Sequence, residues 1–266
     1  MRNLLRLLVA RHATFVAWSA LLLGGFQFLI CAAVASVDVS GALEMVLRSL
    51  PPVVQSMLST TLFGGLSPQG LLAFGWNHPI AQAAGLAVAI VLAARAVAGE
   101  AETGAVELLL TQPLSRAGYF TAEAGFGLAA LALTTVVGLA GTVAGQAVYH
   151  LERFGNAALL HLGVGFFLLQ AAWFGITLVL SAWGREGGRV AGAAFLLALA
   201  SYLANLIGHL LDRAAFLLPW TLNHYFSPQE ILVEGTSQTR AVITLAAVGA
   251  AGLVLAWLRF RRRDLP

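Results

Sequence analysis

Residues 158–183 read ALLHLGVGFFLLQAAWFGITLVLSAW, without a single Asp, Glu, Lys or Arg. As an α-helix at 1.5 Å per residue, a run of this length reaches roughly 39 Å, more than the roughly 30 Å hydrocarbon core of a bilayer. The apolar residues continue without the alternation of a half-buried strand. A helix also closes its own backbone hydrogen bonds, which lipid cannot do for it. Five further stretches repeat the pattern, at residues 14–35, 79–97, 124–148, 190–211 and 241–258. The sequence therefore predicts an all-α integral membrane protein: one transmembrane domain over residues 1–266, with six spanning helices.

The composition points the same way. Of the 266 residues, 59% are hydrophobic and 10% charged, and the mean hydropathy is +0.84. A soluble domain carries about 25% charged residues, so this chain cannot cover a globule's surface, and its apolar excess excludes disorder. All fifteen basic residues are arginine. Without lysine no P-loop can be completed and no Schiff base can form. Cys31 has no second cysteine for a disulfide and no companions for a zinc cluster, so no metal site is expected. H-E-x-x-H and G-x-S-x-G motifs are missing, which argues against a membrane enzyme. The middle of each span lacks Asp and Glu, which argues against a proton-coupled secondary transporter.

Arginine placement sets the expected orientation. With both termini cytoplasmic, Arg2, Arg6, Arg11, Arg95, Arg116, Arg185, Arg189, Arg259, Arg261, Arg262 and Arg263 fall inside, and only Arg48, Arg153, Arg213 and Arg240 fall outside. The positive-inside rule favours this topology, a multi-pass protein of the cytoplasmic membrane. The net charge of +3 then reflects orientation in the lipid bilayer and not nucleic-acid binding, and the tail 259–266 anchors the last span. Residues 1–13, with Leu4, Leu5, Leu7 and Leu8 among arginines, read as a separate interfacial helix. The apolar run that follows is too long for a signal peptide. Two long outer connections, 36–78 and 212–239, hold apolar stretches too short to span, at 53–62 and 214–220, expected as interfacial or re-entrant helices. Trp76 and Trp220 are expected in the outer aromatic belt, with Trp183 and Trp257 in the inner one.

The connection 99–116, GEAETGAVELLLTQPLSR, is cytoplasmic in this topology and holds three acids within eight residues. From Thr103 to Thr111 the pattern suits a short amphipathic helix with Val106, Leu109 and Leu110 on one side. Glu100 and Glu102 lie near its start, where the helix dipole favours negative charge. Pro113 stops it, because the residue before a proline is driven out of the helical region. A short helix with an apolar face and a charged rim is shaped for a groove in a partner protein.

This stretch resembles the cytoplasmic loop of ABC-2 type transporter permeases, roughly E-x-E-x-G-T-x-E-L-L-L-S-x-P-x-S-R. The matching residues are Glu100, Glu102, Thr103, Gly104, Glu107, Leu108, Leu109, Leu110, Thr111, Pro113, Ser115 and Arg116. Thr103-Gly104 reverses the usual order, and Thr111 replaces Ser. The ending Phe260-Arg261-Arg262-Arg263-Asp264-Leu265 resembles the F-x-x-R-D-hydrophobic close of the same subunits. The resemblance implies a permease subunit of an ATP-driven exporter with no catalytic residues and no cofactor in this chain. ATP and Mg would be bound by a separate ATPase subunit, and a second permease copy, identical or a paralogue, would complete the pair. Leu108, Leu109 and Leu110 would fill the ATPase groove, with Glu100, Glu102, Glu107 and Arg116 as rim contacts. Alternatives are a permease of this class serving metalloenzyme maturation or assembly, and a secondary transporter.

Two further sets of residues stand out. Gly188 and Gly192 open the fifth span with small residues four apart, and Ala194, Ala198 and Ser201 continue the series, a candidate dimer contact. Gly141 and Gly145 repeat the spacing in the third span, where packing within the subunit is the expectation. Ser201, Asn205 and His209 fall on one helix face as pathway-lining or packing groups.

Overall fold

The computed structural model describes residues 2–36, 67–102, 115–233, 235 and 238–263, and every regular element among them is helical. Among the described residues, six helices are long and apolar enough to cross a membrane. The first, α1 (Arg2–Ser36), is one helix of 35 residues. It absorbs the stretch the sequence sets apart as an interfacial helix. No proline or glycine precedes Gly24 to end its early turns, and Leu4 and Leu8 are buried in the bundle core.

The second span is two helices, α2 (Pro68–Asn77) and α3 (Pro79–Ala94). Each opens with proline at its first turn. Ser67 caps α2 by accepting from the Gly70 N–H at 3.0 Å, and His78 Nδ1 caps α3 by accepting from the Ile80 N–H at 3.2 Å. Pro79 holds His78 extended, at ψ 139°, and so separates the two. Then α3 passes into a π-helical turn, Arg95–Gly99, and a final turn, Glu100–Glu102.

Helix α4 (Arg116–Val148) starts at Ser115, whose Oγ accepts from the Gly118 N–H at 3.0 Å. It ends in a Schellman turn: the Leu151 N–H donates to Gln146 O at 3.0 Å, across His150 in the left-handed region at φ 53°. Helices α5 (Asn156–Trp183) and α6 (Gly187–Leu210) follow. After α6 come 3₁₀ turns at Asp212–Trp220 and Leu222–Tyr225, the short α7 (Pro228–Leu232), and α8 (Thr239–Phe260).

The most enclosed span is α5, packed against α8, α3, α4 and α6, while α1 lies along α4. Lipid gives helices no hydrophobic reason to associate, so backbone proximity does the work. A Cβ on Gly141 would overlap the Gly24 carbonyl oxygen, one on Gly145 would lie 2.6 Å from Cys31 Cβ, and one on Gly252 would lie 2.5 Å from the Gly175 carbonyl carbon. Gly141 and Gly145 therefore pack within the subunit, as expected. Large apolar side chains such as Leu21, Leu29, Val136, Leu196 and Val254 remain exposed around the outside.

One expectation for the end opposite the arginines changes. Trp76 is fully buried and meets Phe166 edge-on at 5.1 Å, so it is a core residue and not a belt anchor. Its helix continues into the second span, which carries the indole inside the bundle. Trp220, at 86% exposed, fits a belt, and the 3₁₀ turn that carries it has no buried residue. The apolar stretch 53–62 lies outside the described residues.

Candidate functional site

The connection 103–114 leaves after Glu102 and returns at Ser115, the segments that hold the Arg11–Glu100 pair and Arg116. Thr103, Gly104, Glu107, Leu108, Leu109, Leu110 and Pro113, and with them the expected amphipathic helix, lie outside the described residues. Glu100, Glu102 and Arg116 lie within them, and each is held by another helix.

Glu100 is 6% exposed, and its carboxylate forms an ion pair with Arg11 of α1. Tyr119 and Glu123 of α4 face the same pair. The carboxylate has left water, at a cost of several kcal/mol, while the Arg11 side chain keeps partial contact with solvent, so the pair compensates the acid more than the base. Glu102 does a different job. Its Oε2 accepts from the Gly187 N–H at 2.9 Å and so places a carboxylate on the N-terminus of α6, where the helix dipole favours an anion. The two chains run close here: a Cβ on Gly187 would lie 3.0 Å from Gly99 Cα.

The π turn leading to these acids widens the helix by one residue and loosens its hydrogen-bond ladder. Neighbouring side chains satisfy the freed groups. Ser181 of α5 accepts from the Ala98 N–H at 2.9 Å and donates to Ala94 O at 3.0 Å, so its hydroxyl stands where the α-helical Ala98-to-Ala94 bond would be. Tyr119 donates to Ala96 O at 2.7 Å.

On the other side of the connection, Arg116 Nη1 donates to Arg261 O at 3.2 Å and to Arg263 O at 2.7 Å, carbonyls of the tail just beyond α8. Arg263 in turn donates to Ser181 O at 3.3 Å and Ala182 O at 3.2 Å, the last open carbonyls of α5. Partial burial, and then the Arg259 and Arg185 cations, push the Arg263 guanidinium below its ordinary pKa. A cleft of about 680 Å³ opens between α1, the π turn and α6, lined by Arg11, Arg95, Glu100, Glu102 and Gly188 among others.

The other predicted residues are elsewhere. Ser201 Oγ accepts from the Leu222 N–H at 3.3 Å, and Asn205 Oδ1 accepts from the Thr221 hydroxyl at 3.1 Å. The His209 ring lies 6.3 Å from that of His224. All three face the segment that follows α6. Gly188 and Gly192 have open space where a Cβ would stand, whereas Ala194 and Ala198 are buried in the subunit. The single small-residue series of the sequence is thus two faces, one turned outward and one inward.

Sequence reasoning missed Ser181, Tyr119 and Glu123, assigned Arg11 to orientation alone, and gave Arg263 only an anchoring role and a place in the F-x-x-R-D resemblance. Nothing local marks a serine or tyrosine as the partner of a turn eighty or twenty residues away. The only cue is that Ser181 falls within one turn of a predicted span end, while Tyr119 lies just before one. Residues 10–265 match the family model described as ABC-2 family transporter protein. No curated protein matches the chain.

Proposed function

The chain belongs to the ABC-2 family of transporter proteins and is a membrane permease, and from that premise we propose that it couples to a separate ATPase subunit through the connection 99–116 and exports its cargo. The arginine-rich end is then cytoplasmic and both termini lie inside the cell membrane. Leu108, Leu109 and Leu110 fill a groove of the ATPase, and Glu107 fixes the register. ATP and Mg stay on the partner subunit. The observation that carries this reading is that the turn Glu100–Glu102 is bonded to two spans at once, to α1 through Arg11 and to α6 through the Gly187 N–H. A displacement of the connection is therefore delivered to both helices. ATP favours one access state only through contacts that differ between the two states, and these bonds are where such a difference can be applied.

A second permease copy completes the unit. The outward face of α6, with Gly188 and Gly192 and the exposed Phe195, Leu196 and Leu199, suits close helix approach. The test is reconstitution with the ATPase subunit. Leu109→Asp is expected to abolish co-purification of the ATPase, and Glu107→Arg to keep ATP hydrolysis while lowering transport per ATP. Membrane insertion stays normal in both. Undiminished ATPase binding by Leu109→Asp would remove the assignment.

A further inference from the structure

We propose that the tail 260–263 is a clasp that positions both ends of the connection 103–114, with Phe260 as its seat and Arg263 as its latch. The role rests on the coupling reading above. The contacts are specific. Phe260 is fully buried at the opening of α4, its ring 5.9 Å from Tyr119 and 5.9 Å from Phe120. Tyr119 passes this seat on to the π turn through its bond to Ala96 O. Arg263 closes the last carbonyls of α5 at Ser181 and Ala182, and the hydroxyl of that same Ser181 pins the π turn at Ala94 and Ala98. The tail backbone meanwhile receives Arg116, the first residue of α4. One short segment thus reaches the strand of chain entering the connection and the one leaving it.

A membrane anchor needs only positive charge, and Arg261 and Arg262 are exposed and free to supply it. A clasp needs one arginine at one place. The two ideas separate by substitution. Neutralising two charges in Arg261→Gln/Arg262→Gln should disturb an anchor more than the single Arg263→Gln, and a clasp less.

The experiment measures amide hydrogen exchange of the full chain in lipid nanodiscs, following peptides over 91–102 and 115–120, together with transport per ATP in the reconstituted complex. Arg263→Gln is expected to speed exchange in both peptides by about tenfold, the loss of a charge-assisted hydrogen bond at each closed carbonyl, and to lower transport per ATP. Arg263→Lys, which can still donate to two carbonyls, restores most of both. Arg261→Gln/Arg262→Gln matches the parent chain in both. Unchanged exchange in Arg263→Gln overturns the clasp. Faster exchange with normal transport per ATP overturns its part in coupling. If Leu109→Asp also leaves ATPase binding intact, the failure lies with the coupling reading and not with the clasp.

Discussion

Gly252→Ala tests the packing rule that organises the bundle. The added Cβ would stand 2.5 Å from the Gly175 carbonyl carbon and 2.8 Å from its Cα and oxygen. That is about 1 Å inside ordinary contact, where repulsion rises steeply, and parting the helices by a similar distance forfeits a quarter to half of the dispersion well for the atoms they share. The obstacle is backbone on both sides, so no rotamer change relieves it, and α5 and α8 must part. Overpacking of this kind costs about 1–3 kcal/mol, and a backbone collision belongs at the upper end. Alanine's better helix propensity returns up to about 1 kcal/mol, leaving a net loss of about 2 kcal/mol. Gly125→Ala is the matched control: it makes the same change in α4 with no described atom within 4 Å of the new methyl, so only the propensity gain remains. Steric-trap unfolding in bicelles should therefore place the two variants about 3 kcal/mol apart. Equal stabilities would refute the claim that backbone contact at Gly175 and Gly252 holds α5 to α8.

Two other outcomes follow from the site. Arg11→Ala removes the guanidinium from the buried Glu100 carboxylate and is expected to destabilise by about 3 kcal/mol, the low end for breaking a buried pair because Arg11 itself is partly exposed. Adding Glu100→Gln should recover part of that loss in chemical denaturation, and a purely additive double variant would dismiss the pair as structural. Gly192→Leu fills open space, so monomer stability should hold while self-association in detergent, read by analytical ultracentrifugation, falls about tenfold or more. Unchanged association would move the second copy to another face.

Several features of the site could be read from the chain before any contact was known. Glu100 and Glu102 stood out as acids in a charge-poor sequence, and both proved to be anchors, because an ion near a span end must find a partner or water. Arg116, expected as a rim contact of the connection, is instead the first residue of α4 and is bonded to the tail. Trp76 was misread because an aromatic residue near a span end looks the same whether it lies in lipid or turns inward. The distinction depends on α2 leading straight into α3 across His78. The small residues of α6 divide between two faces for a related reason. Gly188 and Ala194 share a spacing pattern with one another but not a face, and only the position of α5 decides which of them is covered.

The sequence by itself determined the helical class, the six spans and the end where the arginines gather. These follow from hydropathy, run length and charge, which act along one dimension and answer to the bilayer alone. The tertiary structure decided which helices touch, that α1 continues unbroken through its first turns, and that a serine on α5 and an arginine beyond α8 steady a turn on α3. In lipid, association depends on fit between particular backbones and on hydrogen bonds that have no water to replace them. Fit of that kind is a property of surfaces brought together, and no local pattern in the chain encodes it.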